Sequence, residues 1–263
     1  MWKGIQIGDS FMIPSFGIMI FFAFVTCNYF IRKTLREKKI DIEIGDNIIF
    51  WAAFGGILGA KLYYLIEFGF EPIKKGYNFL LDGEFQLAIA EFGSGVVFYG
   101  GFLGGLIAVS LFLFIKKLSW LTYADIVAPL LALGHSIGRI GCFLVHDCDG
   151  VESSYRFFPL AVKFPDEIIY RFPTQLYEMG AYFLIFIYLY SYRNKINFKG
   201  ELFFEYLFLT GFVRFLIEFI REHPISDSGF AFMYLGLSGA QYISLLMILV
   251  GFFMHYKSRL SSN

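Results

Sequence analysis

The chain has 263 residues, of which 57% are hydrophobic and only 17% are charged, whereas soluble domains are about 45–50% apolar and about 25% charged. The 22 basic and 22 acidic residues cancel, and three cysteines are too few for a disulfide scaffold. This composition excludes an ordinary soluble enzyme, a disordered chain and a basic nucleic-acid-binding domain, and it predicts a polytopic membrane protein.

Long apolar runs define the predicted architecture. A helix needs about 20 mostly apolar residues to cross a bilayer. Seven segments meet this requirement approximately, namely residues 11–31, 46–68, 94–116, 123–145, 173–192, 201–221 and 240–256. We therefore predict an all-α polytopic membrane helix bundle with about seven transmembrane helices, forming a single integral membrane domain over residues 1–263.

The first run and the basic residues predict the orientation. Only Lys3 precedes the first run, which is longer than the apolar core of a cleavable signal, so we interpret it as a span. If the N-terminus is outside, twelve basic residues lie in short cytoplasmic loops and seven lie on the external side. This excess fits the positive-inside rule, and we predict the N-terminus out and the C-terminus in.

Glycines recur four residues apart in the second and third predicted spans. The pairs are Gly55/Gly59, Gly100/Gly104 and Gly101/Gly105. Small residues at this spacing let membrane helices approach closely, so we interpret these glycines as a packing feature.

Two external segments are long, whereas the inner loops are short connectors. Residues 69–93 and 146–172 form a small external loop region under the predicted orientation. We expect any chemistry to lie on this outer side.

The fourth predicted span carries ionisable residues. His135, Arg139 and Cys142 are four and three residues apart, which places them on one helical face, and His146 continues that face. An ionisable group at mid-bilayer costs about 2.5–3.5 kcal/mol on insertion scales, so such residues are expected to face the bundle interior.

The segment after this span suggests a metal only weakly. Cys142, His146, Asp147, Cys148 and Asp149 lie close in sequence. They lack the paired ligand spacing of a zinc site, and we found no second Cys or His group to complete one. We predict no metal and no organic cofactor.

The sixth predicted span repeats the pattern of the fourth. Arg214, Glu218 and Arg221 are again four and three residues apart. Arg214 and Glu218 are positioned to pair along the helix, which would lower the cost of burying either charge.

The predicted topology brings the unusual residues to one end of the bundle. The even-numbered spans run outward, so Arg139 and Arg214 lie towards the outer leaflet, and Phe16, Tyr99 and residues 173–178 begin the inward spans. A guanidinium group forks onto phosphate, and the abundant anion at that depth is a lipid phosphate. The alternative is that these arginines only snorkel to the headgroups or pair with Glu218.

Motifs along most of the chain resemble one family. The signature-like stretch is residues 125–144 followed by Gly150, and further matches occur in order at residues 15–17, 55–64, 98–105, 173–178, 213–221 and 239–244. Together, from about residue 13 to 250, they resemble bacterial prolipoprotein diacylglyceryl transferase.

The resemblance implies a transferase of the bacterial inner membrane. That family moves the diacylglyceryl group of phosphatidylglycerol onto the lipobox cysteine thiol of an exported preprotein, and glycerol 1-phosphate leaves. Its implied partners are phosphatidylglycerol, prolipoprotein signal peptides and membrane lipids, with no nucleic acid. By similarity, Arg139 and Arg214 would hold the lipid phosphate, and Glu218 and Gly150 would support the site.

This chain departs from the family pattern at six positions. The family often has Tyr, His and Asn where this chain has Phe16, Tyr99 and Cys142, and it typically has Gly, Glu and an aromatic residue at His146, Asp147 and Asp149. Without a histidine at position 99, the base is unassigned. We predict His135 as the base, with Asp147 as an alternative and Tyr99 as a hydrogen-bond donor to phosphate.

Two other functions stay open at this point. A divergent paralogue would use the same lipid donor with another acceptor. A non-enzymatic lipid-binding or transport protein would usually show internal repeats or broken helices around a midplane site, and we see no repeat.

Overall fold

The computed structural model describes residues 4–7, 11–85, 98–165, 167–222 and 233–262. Within these ranges the chain is mostly helical. The helices are α1 Ser15–Glu37, α2 Ile42–Phe68, α3 Glu71–Leu81, α4 Phe98–Ile115, α5 Trp120–Val145, α6 Thr174–Tyr192, α7 Glu201–Ile217 and α8 Gly239–Ser262. Each of the seven predicted spans corresponds to one of these helices, and α3 lies in segment 69–93, which was predicted to be external.

Several helices are long and apolar enough to cross a membrane. By length and composition these are Ser15–Glu37, Ile42–Ile66, Trp120–Val145 and Gly239–Leu260, and Gly100–Ile115 is a shorter apolar helix. The protein is therefore a multi-pass membrane helix bundle, while the count of seven spans and the orientation stay predictions.

The first and sixth predicted spans each include a short segment that is not α-helical. Residues Phe11–Pro14 form strand β2, which pairs with β1 at Gly4–Ile7, so the first helix begins at Ser15 rather than at residue 11. The sixth helix ends at Ile217, and a 3₁₀ turn at Glu218–Ile220 follows it. Apolar composition alone does not separate a strand or a 3₁₀ turn from an α-helix.

The described chain forms two compact units. One consists of the described residues of Met1–Gly4, Pro14–Cys27 and Leu121–Asn263, and the other of those of Ile5–Ile13 and Asn28–Trp120. The second unit contains α2 and α4. The first unit contains α5 to α8.

Glycines set the packing of α2 against α4. A methyl group added at Gly55 would lie 2.6 Å from the carbonyl oxygen of Gly104, and one added at Gly59 would lie 2.7 Å from the Cα atom of Gly104. The two backbones touch at these positions, and this contact leaves no room for a Cβ atom. This is the close approach that the glycine spacing predicts.

A buried aspartate links the start of α5 to the start of α7. The Asp125 carboxylate accepts hydrogen bonds from the backbone N–H groups of Gly200 at 2.6 Å and Phe203 at 3.1 Å. The first N–H groups of any helix have no acceptor within that helix, so these amides need a partner from elsewhere. The contact fixes the entry of α7 beside α5.

Short strands organise the segment between α5 and α6. Strands β3 (Val162–Lys163) and β4 (Tyr170–Arg171) pair antiparallel. Isolated bridges join Gly150 to Arg221 and Glu152 to Arg171. The segment between α5 and α6 therefore holds the start of α6 and the end of α7 together.

Strands β5 (Met233–Tyr234) and β6 (Leu237–Ser238) form a second antiparallel pair, which follows α7 and leads into α8.

Candidate active site

One face of α5 carries the first half of the site. Arg139 Nη1 donates a hydrogen bond to Cys142 Sγ at 3.7 Å, as expected for residues on one helical face. Cys142 is buried, whereas the Arg139 side chain is 20% exposed. The guanidinium group is therefore fixed on one side and open on another.

The predicted pair is present at the end of α7 and in the 3₁₀ turn that follows it. Arg214 Nη1 lies 2.5 Å from Glu218 Oε2, which confirms the pairing expected from the four-residue spacing. Ser238 Oγ, from β6, donates to Glu218 Oε1 at 2.7 Å. Both oxygens of this buried carboxylate thus have partners, and Glu218 holds Arg214 in place.

A third helix joins the two arginines. Glu178 on α6 pairs with Arg139 Nε through Oε2, and its Oε1 accepts from Arg214 Nη1 at 3.3 Å. Its side chain is only 2% exposed. Sequence reasoning missed this residue as a site residue. The sequence did contain one signal for it. Glu178 is an acid near the start of a predicted span that has no basic residue, so its partner has to come from another helix.

The four side chains form a charge-neutral cluster with free donors. Arg139 and Arg214 carry two positive charges, and Glu178 and Glu218 carry two negative ones. Among the contacts of the described residues, neither arginine uses its Nη2 group. Because a guanidinium group has five N–H donors, each arginine retains donors for an incoming anion.

The N-terminal turn of α6 fastens the loop that follows α5. Gln175 is fully buried, and its Nε2 group donates to the Asp147 carbonyl oxygen at 2.8 Å and to the Asp149 carboxylate. Thr174 Oγ1 donates to the Cys148 carbonyl oxygen at 2.8 Å. The helix that carries Glu178 therefore also fixes residues 147–149.

Gly150 lies where three segments meet. Its N–H donates to the Phe172 carbonyl oxygen at 2.9 Å, and Val151 N–H donates to the Ile220 carbonyl oxygen at 2.9 Å. A methyl group added at Gly150 would lie 2.6 Å from the first of these oxygens and 2.7 Å from the second. Gly150 therefore supports the site by permitting this junction, and no side chain fits there.

The two cysteines near Arg139 contact each other. Interaction with the Cys142 thiol and burial raise the pKa of the Cys148 thiol, which stays protonated at neutral pH. A protonated thiol is a poor nucleophile, so Cys148 is not poised to attack a lipid.

The other predicted residues that the structure describes lie on α5 or next to it. His135 is next to two tyrosines, with 5.3 Å between its ring and that of Tyr182 and 3.5 Å between Nδ1 and the Tyr206 hydroxyl. Phe16 packs against α5 at Gly141, and the Asp147 side chain is exposed. The Tyr99 side chain lies outside the described residues, so its role stays a prediction.

Two groups of side chains have the composition of metal sites. His146, Asp149 and Glu167 form one, and Glu201, Glu205 and His255 form the other, with the ligand atoms of each group within 4.8 Å of one another. The prediction of no metal did not consider Glu167, which is distant in sequence.

Comparisons with known proteins agree with the resemblance in the sequence. A family model described as prolipoprotein diacylglyceryl transferase matches residues 4–257. The phosphatidylglycerol–prolipoprotein diacylglyceryl transferase of Leptospira interrogans is 30% identical, with 94% of this chain and 89% of the relative covered. The same-named protein of Clostridium tetani is 31% identical, with 92% of each covered. That of Methylobacillus flagellatus is 33% identical, with 92% and 90% covered.

Proposed function

The chain belongs to the prolipoprotein diacylglyceryl transferase family, and from this premise we propose which of its residues carry the reaction. It is a multi-pass membrane transferase that uses phosphatidylglycerol in the first step of bacterial lipoprotein maturation. The finer steps below are our proposal.

The acceptor is the thiol of a lipobox cysteine in an exported prolipoprotein. Its sulfur attacks the carbon of the diacylglyceryl group that is bonded to the phosphate oxygen. A C–S bond forms, and the C–O bond between that carbon and the phosphate oxygen breaks. The proton of the thiol is lost, and glycerol 1-phosphate leaves with the electron pair. The reaction takes place at the outer leaflet of the bacterial inner membrane, as the N-out orientation predicts.

The observation that carries this proposal is the Arg139–Glu178–Arg214 network. Three helices hold two guanidinium groups on one buried carboxylate, with N–H donors of both arginines left over. A phosphodiester carries one negative charge, and further charge develops on phosphate as the C–O bond breaks. Fixed donors stabilise that developing charge without reorganisation, and losing one such donor costs about 10²–10³ in rate.

The acceptor thiol needs a base because thiolate is the nucleophile and a free cysteine has a pKa of about 8.5. We propose His135 for this role. It lies one turn before Arg139 on α5, and the Tyr206 hydroxyl is near its Nδ1 atom. Asp147 is the second candidate, since its side chain is exposed beside the site. Tyr99 would instead donate a hydrogen bond to phosphate.

The test uses purified protein in micelles with phosphatidylglycerol and a lipobox peptide. Thioether-linked peptide and released glycerol phosphate are measured together. We expect Arg139→Ala and Arg214→Ala each to abolish both products, while Arg36→Ala, an exposed arginine at the end of α1, retains them. Yield and melting temperature in detergent show whether each variant is folded. Normal rates in both site variants would refute the phosphate-binding role.

The base is tested separately. We expect His135→Ala to lower the rate most at neutral pH and to recover towards high pH, where the thiol ionises without help. An unchanged rate at every pH would exclude His135 and direct attention to Asp147.

A further inference from the structure

The loop after α5 contains side chains that the transfer reaction does not use. His146 and Asp149 lie in this loop. Glu167 comes from the connection between β3 and β4 and reaches the same place.

The three side chains bring one possible ligand atom each to the same place, within 4.8 Å of one another. His146 Nε2 lies 2.6 Å from Asp149 Oδ2 and 3.8 Å from Glu167 Oε1. His146 Nε2 is buried and has no hydrogen-bond partner among the described residues. A divalent cation placed among these atoms would contact the imidazole nitrogen and one oxygen of each carboxylate at the same time.

Outer contacts hold each group in its orientation. Asp149 uses its other oxygen to accept from Gln175, and Glu167 uses its other oxygen to accept from Arg171 Nε at 2.6 Å. The His146 ring stacks on Phe164 with 3.9 Å between ring centroids. Metal-ligating side chains are oriented by partners of this kind, which hold one end and leave the other for the ion.

From this geometry we propose that His146, Asp149 and Glu167 form a binding site for a divalent cation, with zinc as the preferred ion. One imidazole and two carboxylates suit zinc, and water completes the coordination. Ligands about 2.0–2.1 Å from a tetrahedral ion are about 3.3 Å apart. The distances of 2.6 and 3.8 Å fall on either side of that value, so side-chain shifts of less than about 1 Å suffice.

The site would fasten the external segment beside the transfer site. Asp149 immediately precedes Gly150, and Glu167 lies four residues before Arg171, whose Nη1 group donates to the Gly150 carbonyl oxygen at 3.3 Å. A bound ion would therefore link the residues that follow α5 to the β3–β4 connection, next to the contact between Arg171 and Gly150. The ion takes no part in the transfer chemistry.

The test measures metal binding and not activity. Chelator-treated full-length protein in detergent is titrated with Zn²⁺ by calorimetry, and with Co²⁺ by visible absorption, which reports the coordination geometry. We expect one equivalent bound at this site. Removing an outer-shell partner costs about 10–100-fold in metal affinity, so losing a ligand should cost more than about 100-fold.

The variants are His146→Gly, Asp149→Asn and Glu167→Gln. His146 has a φ of 59°, in the left-handed region that suits glycine, so this variant should fold. Glu152→Gln, an exposed residue of the same segment, is the matched control. His255→Gln removes binding at the second group of side chains. No bound Zn²⁺ or Co²⁺, or binding that survives all three ligand variants, would overturn the proposal.

Discussion

Replacing Glu178 by glutamine tests the central contact of the site most directly. Glutamine keeps the size and one acceptor oxygen but presents an amide group in place of the second oxygen. Because Glu178 accepts from both Arg139 and Arg214, one arginine must then face an N–H donor. Arg214 still has Glu218 at 2.5 Å, so we expect the amide oxygen to turn towards Arg139.

The expected effect separates binding from catalysis. The cluster changes from neutral to a charge of plus one, so the KM for phosphatidylglycerol should not rise. One arginine loses its fixed orientation, which should lower kcat by about 10²-fold, the loss seen when one oriented donor is removed. Glu178→Ala should also destabilise the fold by about 3–5 kcal/mol, because it leaves buried charge without its partner.

Initial rates at several phosphatidylglycerol concentrations in mixed micelles give both constants. Glu152→Gln, which removes the same charge from an exposed position, is the matched control and should behave as the unmodified protein. A normal kcat in Glu178→Gln, or an increase confined to KM, would refute the view that Glu178 orients the arginines for the transition state.

Three further substitutions, with one control, test the supports of the site and of the bundle. Ser238→Ala removes the hydrogen bond to Glu218 and should lower unfolding stability by about 1.5–3 kcal/mol, as for bonds to charged groups, which thermal melting in detergent would detect. Gly150→Ala should lower both melting temperature and transfer rate because a methyl group there would lie 2.6 Å from a carbonyl oxygen. Gly180→Ala, where an added methyl group meets nothing within 4 Å, should not. Gly104→Ala should lower the yield of folded protein, measured by size-exclusion chromatography, because it separates α2 from α4; normal yield would contradict the packing role of this glycine.

The features that sequence predicted best are local ones. Long apolar runs are sufficient to indicate helices, and the four-residue spacing of Arg214 and Glu218 is sufficient to place them together. The start of α1 was predicted four residues too early because Phe11–Pro14 is apolar but extended. Pro14 offers the physical reason, since a residue before proline avoids helical conformation.

The features that sequence missed depend on contacts between distant segments. Glu178 pairs with residues on two other helices, and no periodicity within α6 reveals this. Glu167 approaches His146 only because β3 and β4 bring the connection between them back towards the end of α5. Sequence does indicate that a buried acid needs a basic partner, but it does not indicate that Glu178 pairs with both Arg139 and Arg214.

The division of charges among the helices has a consequence for how the protein assembles in the bilayer. The segment of α7 and its 3₁₀ turn carries both Arg214 and Glu218 and can enter the membrane with its charges already paired. By contrast, α5 brings Arg139 and α6 brings Glu178, each of which would cost about 2.5–3.5 kcal/mol to insert alone. These two helices therefore gain most by entering together, because the contact between Arg139 and Glu178 pairs both charges.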